Sequence, residues 1–449
     1  MEEKFESFRE LLHRRCGQAL PVFSYARGEE RRSLSWSEFS AQLQEKEREY
    51  RSSRAASVLI AAETNEDTIL SLFAHVLAGQ DVILADPGLS EERFVQAALA
   101  VRAEAAEADE ELTERLRPVL ARESGRRRET EGRLIFFTSG TSERSKAVVL
   151  TSRALCLSAW NGQSMLPCRE GDVILSMLPL AHVFGFVCSL LWGMAYGACI
   201  ALGRGRRHLM DDCRYFRPTI LPAVPALLEA LLRQNALNPE LRTVLIGAAP
   251  CTEAVIRAVR EKGISVRFGY GLTETASGLA ISTDDDNPFA MALCPDTEVT
   301  IEEDGEIAVR TPCLMEAYLG QGNPAVDGKF FTGDLGYLDE KGALHVTGRK
   351  KEMLVLPSGV KIFCPDVERE LERLMPGAEA AVVLRGGKPV LLAAGCETLQ
   401  AAETAMAAYN QTVSRAEQLV RAERYPGPLP RTATGKLKRW MLEETKYEA

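Results

Sequence analysis

The sequence predicts an α/β protein with a large N-terminal domain of mixed sheets covered by helices and a small C-terminal α/β domain. Short apolar runs alternate with helical stretches along most of the chain, which is typical of β-α-β units. The length of 449 residues, with 46% hydrophobic and 26% charged residues, suits a large core in more than one domain. We place the domains at residues 1–347 and 352–449, with a connector at 348–351.

The first β-α-β unit lies in the N-terminal quarter of the chain. The apolar run at 57–61 predicts a strand, residues 67–77 predict a helix, and residues 81–84 predict a second strand. A charged stretch rich in Ala, Glu and Arg follows from Arg102 to Glu131. We interpret this stretch as a solvated helix and connector, and a regulatory or partner-binding role is the alternative.

The same pattern resumes in the middle of the chain. Further strands and helices are predicted at 133–137, from Ser152, and at 243–246, 252–262 and 265–268. Residues 298–302 and 306–310 flank Asp304 and Gly305, and this turn pair predicts a β-hairpin.

One long apolar stretch allows two interpretations. Residues 183–203 carry no charged side chain, which satisfies the length rule for a membrane-spanning helix. Gly185, Gly193 and Gly197 interrupt the stretch, and a motif with polar groups leads into it. We therefore predict a buried helix that continues into a buried strand, and a membrane span is the alternative.

Charge and cysteine usage exclude several classes of protein. A net charge of −9 provides no basic surplus for nonspecific binding to nucleic acid. The 11 cysteines are scattered without a C-x-x-C pair, which favours reduced thiols over a disulfide framework or a zinc site. Residues 1–4 are charged and begin no apolar run, so we expect no signal peptide and a cytoplasmic protein.

Six short motifs follow one another in a fixed order. They are FFTSGTSERSK at 136–146, LPLAHVFG at 178–185, YGLTE at 270–274, TGD at 332–334, GRKKE at 348–352 and PRTATGK at 430–436. Each motif alone is a weak signal, but their order resembles the adenylate-forming superfamily of acyl-CoA synthetases, stand-alone adenylation domains and luciferases. The resemblance runs from about Ser57 to the end of the chain and implies that the C-terminal domain is mobile.

The first motif has the composition of a phosphate loop. It follows a predicted strand and supplies hydroxyls, a glycine and a lysine, although the Walker pattern is absent. The resemblance implies that ATP phosphates are held by Thr138, Ser139, Gly140, Thr141, Ser142 and Lys146. The chain departs from the family pattern at Glu143, Ser145 and Ala147, so we expect a stiffer and less open loop.

The YGLTE motif combines an aromatic side chain with a carboxylate. Tyr270 offers a flat face to adenine, and Glu274 offers a hard oxygen ligand to Mg²⁺. The resemblance places Gly271 beside the adenine and gives the hydroxyl of Thr273 to the α-phosphate. It also assigns one turn to the edge of the adenine, formed by Gly247, Ala248 and Ala249.

The last three motifs supply a carboxylate for the ribose and several cationic side chains. Asp334 lies in a tight turn, where its carboxylate can accept hydrogen bonds from both ribose hydroxyls; a structural Asx turn is the alternative. The resemblance adds Arg349 to the ribose site and places the hinge between the domains at Lys351. It also implies that Lys436 bridges the substrate carboxylate and the α-phosphate in the transition state.

The second motif contributes to the pocket for the acid. We expect His182, Val183 and Phe184 to line or gate this pocket, and a core histidine is the alternative for His182. The motif lacks the carboxylate of amino-acid-activating relatives, and an unpaired buried ammonium is costly, so an amino acid is disfavoured. The motif resembles that of fatty-acid and aryl-acid CoA ligases instead, and the resemblance implies a fatty or aryl acid. Residues 287–295 depart from the family pattern and leave the floor of the pocket unassigned.

These residues together predict an AMP-forming acid–thiol ligase. ATP and Mg²⁺ would activate a carboxylic acid to an acyl-adenylate, and a thiol would then displace AMP. CoA is the expected thiol. The alternatives are an acyl carrier protein as the acceptor, a stand-alone adenylation enzyme, or a catalytically weakened nucleotide-binding protein.

Overall fold

A computed structural model describes residues 3–121, 125–138, 146–249, 251–284, 287–357, 360–431 and 437–444. The strands are, in chain order, β1 (Pro21–Arg27), β2 (Glu30–Ser35), β3 (Ser57–Ala61), β4 (Asp81–Ala85), β5 (Ala105–Glu107), β6 (Leu134–Phe137), β7 (Ala147–Leu150), β8 (Val173–Ser176), β9 (Cys199–Leu202), β10 (Ile220–Ala223), β11 (Thr243–Ile246), β12 (Ser265–Tyr270), β13 (Ala280–Ser282), β14 (Met291–Leu293), β15 (Glu298–Ile301), β16 (Glu306–Arg310), β17 (Ala317–Tyr318), β18 (Phe330–Leu338), β19 (Leu344–Arg349), β20 (Met353–Val355), β21 (Lys361–Phe363), β22 (Glu379–Arg385), β23 (Lys388–Ala394) and β24 (Ala422–Arg424).

Helices cover these strands along the whole chain. The α-helices are α1 (Phe8–Arg15), α2 (Trp36–Ser52), α3 (Glu66–Leu77), α4 (Glu91–Val101), α5 (Glu110–Leu116), α6 (Ser152–Met165), α7 (Val183–Phe186), α8 (Trp192–Tyr196), α9 (Leu209–Phe216), α10 (Pro225–Arg233), α11 (Glu253–Arg260), α12 (Cys364–Leu374), α13 (Leu399–Asn410) and α14 (Arg439–Glu444). Short 3₁₀ helices occur at Arg117–Val119, Arg206–His208, Thr273–Thr275 and Lys350–Glu352, and a π-helical turn occurs at Val187–Leu191.

The N-terminal part is built on two mixed sheets. Over the described residues, the larger has 13 strands in the order β15-β16-β18-β19-β14-β13-β12-β11-β10-β8-β9-β1-β2. Its segment from β12 to β1 is parallel, whereas β13 to β15 and β2 pair antiparallel with their neighbours. The smaller sheet has the order β17-β7-β6-β4-β3-β5. The predicted mixed sheets are therefore confirmed.

The charged stretch after Arg102 is more structured than predicted. It contains a helix, α5, as predicted. It also contains the strand β5 near its start, which pairs in parallel with β3 so that Ala105 lies opposite Val58. The prediction of a helix and connector alone was therefore incomplete. A three-residue strand at a sheet edge is too short to show an apolar alternation in the sequence.

The apolar stretch 183–203 lies in the core, as predicted. It forms α7, the π-helical turn, α8 and then β9, and most of its side chains are buried. In the part of the chain that the structure describes, we find no helix with the length and apolar character that a membrane span requires.

The core of the N-terminal part joins both sheets. One large cluster includes residues of β3 and β4 from the smaller sheet, β8 and β9 from the larger sheet, and the helices α3, α6 and α8. The C-terminal residues pack around a separate cluster that includes Leu354, Leu371, Val382, Leu391 and Tyr409. The domain limits at 347 and 352, and the hinge between them, stay predictions.

Candidate nucleotide and acyl site

The phosphate loop joins two antiparallel strands of the smaller sheet. It leaves β6 at Thr138 and enters β7 after Lys146. The two ends are held together, because Thr138 N donates to Lys146 O at 2.9 Å and Lys146 N donates to Thr138 Oγ1 at 3.2 Å. The predicted phosphate ligands Ser139, Gly140, Thr141 and Ser142, and the departures Glu143 and Ser145, lie outside the described residues.

Lys146 lies beside an aromatic residue that the sequence analysis did not identify. Its Nζ is 4.2 Å from the centre of the Tyr318 ring, a cation–π distance. The hydroxyl of Tyr318 donates to Glu274 Oε1 at 2.7 Å, and Tyr318 itself is buried. One side chain thus contacts both the lysine of the phosphate loop and the predicted Mg²⁺ ligand.

Backbone contacts fix the segment that carries Thr273 and Glu274. Both residues are half-buried in the 3₁₀ helix Thr273–Thr275, and Met315 N donates to Glu274 O at 2.7 Å. A Cβ on Gly271 would lie 2.2 Å from Ser277 O, so only glycine allows this approach of the two backbones. The geometry places Glu274 on a rigid element next to Tyr318.

Mg²⁺ fits this arrangement as an ion held partly by the phosphates. Among the described residues, no group of three or more His, Cys, Asp and Glu side chains is placed to hold a metal ion. Mg²⁺ usually takes one or two carboxylates and completes its shell with water and substrate phosphates. Glu274, the predicted ligand, would provide one such carboxylate, and its bond to Tyr318 fixes the position of the group.

The predicted ribose and adenine residues are in direct contact. Tyr270, at the end of β12, donates its hydroxyl to Asp334 Oδ2 at 2.9 Å. Arg349 Nε lies 2.9 Å from Asp334 Oδ1. Burial and then the charge of Asp334 raise the pKa of Tyr270 well above its usual value, so this phenol stays a proton donor. The buried Asp334 carboxylate is thus oriented from both sides.

This pairing follows from the strand register. Asp334 in β18 and Arg349 in β19 are opposite each other in an antiparallel pair. The two motifs TGD and GRKKE are therefore neighbours in one hairpin, which the sequence spacing alone did not show.

The turn predicted at the adenine edge contacts the predicted acyl motif. A Cβ on Gly247 would lie 2.7 Å from the Phe184 ring, so the glycine lets this ring pack directly on the backbone after β11. Ala248 and Ala249 are exposed beside it, and Ala248 has a φ of 67°. Val183 is buried at the start of α7, next to Phe184.

His182 is not a core histidine. Its side chain is 42% exposed, and its Nε2 lies 3.9 Å from Asp86 Oδ2, a carboxylate that no motif indicated. Partial burial lowers the pKa of His182 while the charge of Asp86 opposes that shift, so the imidazole is mostly neutral near pH 7.

A small cavity lies behind the YGLTE segment. Its volume is about 20 Å³, and its lining includes Ser158, Cys188, Trp192, Ser277 and Gly278. Cys188 belongs to the π-helical turn and hydrogen-bonds Ser277, and π-helical turns are frequent at functional sites. Residues 287–295 contribute the strand β14, which pairs with β13. None of these residues lines the cavity.

Two further residues were predicted to act in catalysis and as the hinge. Lys436 lies in 432–436, beyond the described residues. Lys351 lies in the 3₁₀ helix Lys350–Glu352 with its side chain exposed, next to Lys350. The assignment of catalysis to Lys436 and of the hinge to Lys351 therefore stays a prediction.

Comparison with known proteins identifies the family. Residues 30–319 match the family model described as "AMP-binding enzyme". The chain is 30% identical over 334 residues to a 2-succinylbenzoate–CoA ligase of Listeria monocytogenes serotype 4b (strain F2365), covering 69% of each chain. It is 33% identical over 276 residues to an indoleacetate–CoA ligase of Aromatoleum aromaticum, covering 56% of this chain and 54% of the relative.

Solved structures match over nearly the whole length. The o-succinylbenzoate CoA synthetase of Bacillus subtilis in complex with its acyl-adenylate intermediate has a TM-score of 0.83 at 22% identity, over 98% of this chain and 99% of that one. The same synthetase with ATP and magnesium ion has a TM-score of 0.81 at 22% identity, over 96% and 98%. The family match begins at residue 30, earlier than the predicted start near Ser57. The predicted fold and family are thus confirmed, and the chain belongs to the AMP-binding enzyme family of acyl-CoA synthetase-like, ATP-dependent ligases.

Proposed function

We propose that this chain is an AMP-forming acid–CoA ligase that activates a compact carboxylic acid. The observation that carries the proposal is the convergence of the predicted nucleotide residues. Tyr270 and Arg349 both contact Asp334, and Glu274 and Lys146 both contact Tyr318. A nucleoside triphosphate requires both sets of residues at once, the first for the nucleoside and the second for the phosphates.

The chemistry follows from where charge develops. Attack of the acid on the α-phosphorus concentrates negative charge on the phosphates, and fixed cations and donors stabilise it. Lys146 and, by prediction, Lys436 supply positive charge, and Thr273 supplies a hydroxyl. Glu274 would hold Mg²⁺, which would supply charge neutralisation at the phosphates.

The nature of the acid is inferred from the relatives. The relatives named above are ligases of 2-succinylbenzoate and indoleacetate, both compact aryl acids. We therefore expect an aryl acid to be used better than a long-chain fatty acid.

The location in the cell is part of the same proposal. All 11 cysteines lie within the described residues, where none forms a disulfide bond, and most are buried. Thiols in this number without a disulfide bond agree with a reducing compartment, which supports the predicted cytoplasmic location.

An acid panel tests the proposal directly. Pyrophosphate release is measured for aryl, short-chain and long-chain acids with ATP and Mg²⁺, and thioester formation is then measured with CoA and with an acyl carrier protein in parallel. We expect acid-dependent pyrophosphate release and a CoA thioester. A thioester on the carrier protein alone would change the acceptor, and ATP binding without turnover of any acid would instead favour a nucleotide-binding protein.

A further inference from the structure

One buried carboxylate lies between the connector and a kink at Thr332–Asp334, which we call the ribose turn. The kink lies within the strand β18, with a φ of 72° at Gly333, and is not the separate tight turn that the sequence predicted. Glu306, at the start of β16, is 8% exposed. Its Oε1 accepts a hydrogen bond from Gly333 N at 2.9 Å, and its Oε2 accepts one from Lys350 Nζ at 2.7 Å. Gly333 precedes Asp334, and Lys350 follows Arg349, so a single side chain contacts the neighbours of both ribose residues.

Strand β16 holds the ribose turn by a second contact. Thr332 Oγ1 donates to Ile307 O at 2.7 Å, and Asp334 N donates to Thr332 Oγ1 at 3.0 Å. The turn Thr332–Asp334 is therefore bonded to Glu306 and Ile307, two successive residues of β16. These bonds hold the backbone on either side of the Asp334 carboxylate where the register of β16 and β18 shifts, between the pairs Glu306–Leu335 and Ala308–Phe331.

The connector is attached to the same hairpin. Lys350 Nζ also lies 2.6 Å from Asp304 Oδ2, in the turn between β15 and β16. The hydrogen bond between Asp304 and Lys350 makes the largest contribution to the lowered pKa of Asp304 and to the raised pKa of Lys350. Both side chains therefore stay charged. The contact Asp334–Arg349 thus links the ribose turn to the last residue of β19, whereas the chain Gly333–Glu306–Lys350 links it to the first residue of the 3₁₀ helix that follows β19.

We propose that Glu306 is a positioning residue that couples occupancy of the ribose site to the order of the connector between the domains. The inference rests on the proposed function, since it assigns Asp334 to a ribose. A nucleotide that binds Asp334 fixes the turn, the turn fixes Glu306 through Gly333, and Glu306 fixes Lys350. The start of the predicted hinge is then rigid while its continuation at Lys351 remains free to rotate.

The test uses Glu306→Gln, with Glu302→Gln as the matched control. Glu302 lies in the same hairpin and pairs with Lys329 at 2.5 Å, outside the ribose turn and the connector. AMP binding is measured by calorimetry, and hydrogen exchange is measured at 332–335 and 349–353 with and without AMP. We expect about a 10-fold loss of AMP affinity in Glu306→Gln, because a hydrogen bond to a charged group is weakened.

The exchange pattern separates coupling from simple structural support. In the wild type and in Glu302→Gln, AMP should slow exchange in both segments. In Glu306→Gln, AMP at saturation should slow exchange at 332–335 and at Arg349, which keeps its contact with Asp334, but no longer at 350–353. Slowing at 350–353 in Glu306→Gln, or unchanged AMP affinity, would overturn the inference.

A second variant keeps the test decisive if Glu306→Gln does not fold. Lys350→Met removes a half-exposed side chain and leaves the Glu306–Gly333 bond in place. AMP affinity should then change less than about 3-fold, while the protection of 350–353 is lost; retained protection of 350–353 would overturn the inference. AMP binding and exchange require neither acid nor thiol, so failure of the proposed function shows separately, as an absence of acid-dependent pyrophosphate release in the wild type.

Discussion

Tyr318→Phe is the substitution that most directly tests the phosphate side of the site. It removes one oxygen, which donates to Glu274 Oε1 at 2.7 Å, and keeps the ring that lies 4.2 Å from Lys146 Nζ. Because Tyr318 is buried, water does not readily replace the lost donor. The carboxylate of Glu274 then loses the bond that fixes its orientation.

The size of the effect follows from the type of bond. A hydrogen bond to a charged group contributes about 1.5–3 kcal/mol. With about 1.4 kcal/mol for each factor of ten, adenylation should slow roughly 10- to 100-fold. Tyr318→Leu also removes the cation–π contact, so we expect a further loss of about 2- to 5-fold from the 0.5–1 kcal/mol that such contacts contribute.

The dependence on pH gives an additional check. Burial, and then the charge of Glu274, raises the pKa of Tyr318, so its hydroxyl keeps its proton throughout the neutral and mildly alkaline range. The ratio of wild-type to Tyr318→Phe rates should therefore be constant from about pH 7 to 9, since the unperturbed phenol titrates only near 10.

The assay is acid-dependent ATP–pyrophosphate exchange at several Mg²⁺ concentrations. Tyr337→Phe is the control, because Tyr337 is half-exposed on β18 and stacks on His345. We expect Tyr318→Phe to require more Mg²⁺ for half-maximal exchange, and Tyr337→Phe to behave as the wild type. Wild-type rates and Mg²⁺ dependence in Tyr318→Phe would refute the role of this bond.

Three further outcomes are expected. Lys436→Ala should lower adenylation by roughly 10²–10³ while thioester formation from supplied acyl-adenylate survives, as for loss of one transition-state donor; equal loss in both half-reactions would refute this. Lys351→Pro should spare adenylation and strongly lower thioester formation, because proline fixes φ at the predicted hinge; a parallel loss in both would exclude the hinge. Burial alone would raise the pKa of Glu107, but the hydrogen bond and charge of His75 lower it to about 2. This contribution to stability is present above the unfolded pKa of about 4.3 and is lost as the pH falls towards 2, so denaturant titrations should show an acid loss that Glu107→Gln lacks.

The fold was predictable where the periodic pattern of apolar residues extended over enough positions to indicate a helix or a strand. Strands such as β3 and β11 and helices such as α3 and α6 lie within a residue or two of their predicted positions, because their apolar runs are bounded by clear turns. The strands β5 and β7 were not predicted. Both are three or four residues long and pair at or near the edge of the smaller sheet, where the tertiary context decides the conformation.

The site was predictable as a set of residues but not as a set of contacts. The motifs named Tyr270, Asp334 and Arg349, and the strand register then showed why they meet. Tyr318 and Glu306 carry no motif that sequence reasoning could single out, since a tyrosine in a two-residue strand and a glutamate in a hairpin are common. Their roles follow only from partners that are distant in sequence.

The contacts of Tyr318 also separate an enzyme from a protein that only binds nucleotide. A binding protein needs Tyr270 and Asp334 for the nucleoside, but it has no need to organise Glu274 and Lys146 around one buried hydroxyl-bearing ring. Preorganised charge on the phosphate side is what catalysis requires. In an enzyme, Tyr318→Phe should therefore lower adenylation while AMP affinity stays within about 2-fold of the wild type, because AMP lacks the β- and γ-phosphates. A variant that loses AMP affinity and adenylation together would show that Tyr318 supports the nucleoside site instead, and the phosphate-side argument for catalysis would fail.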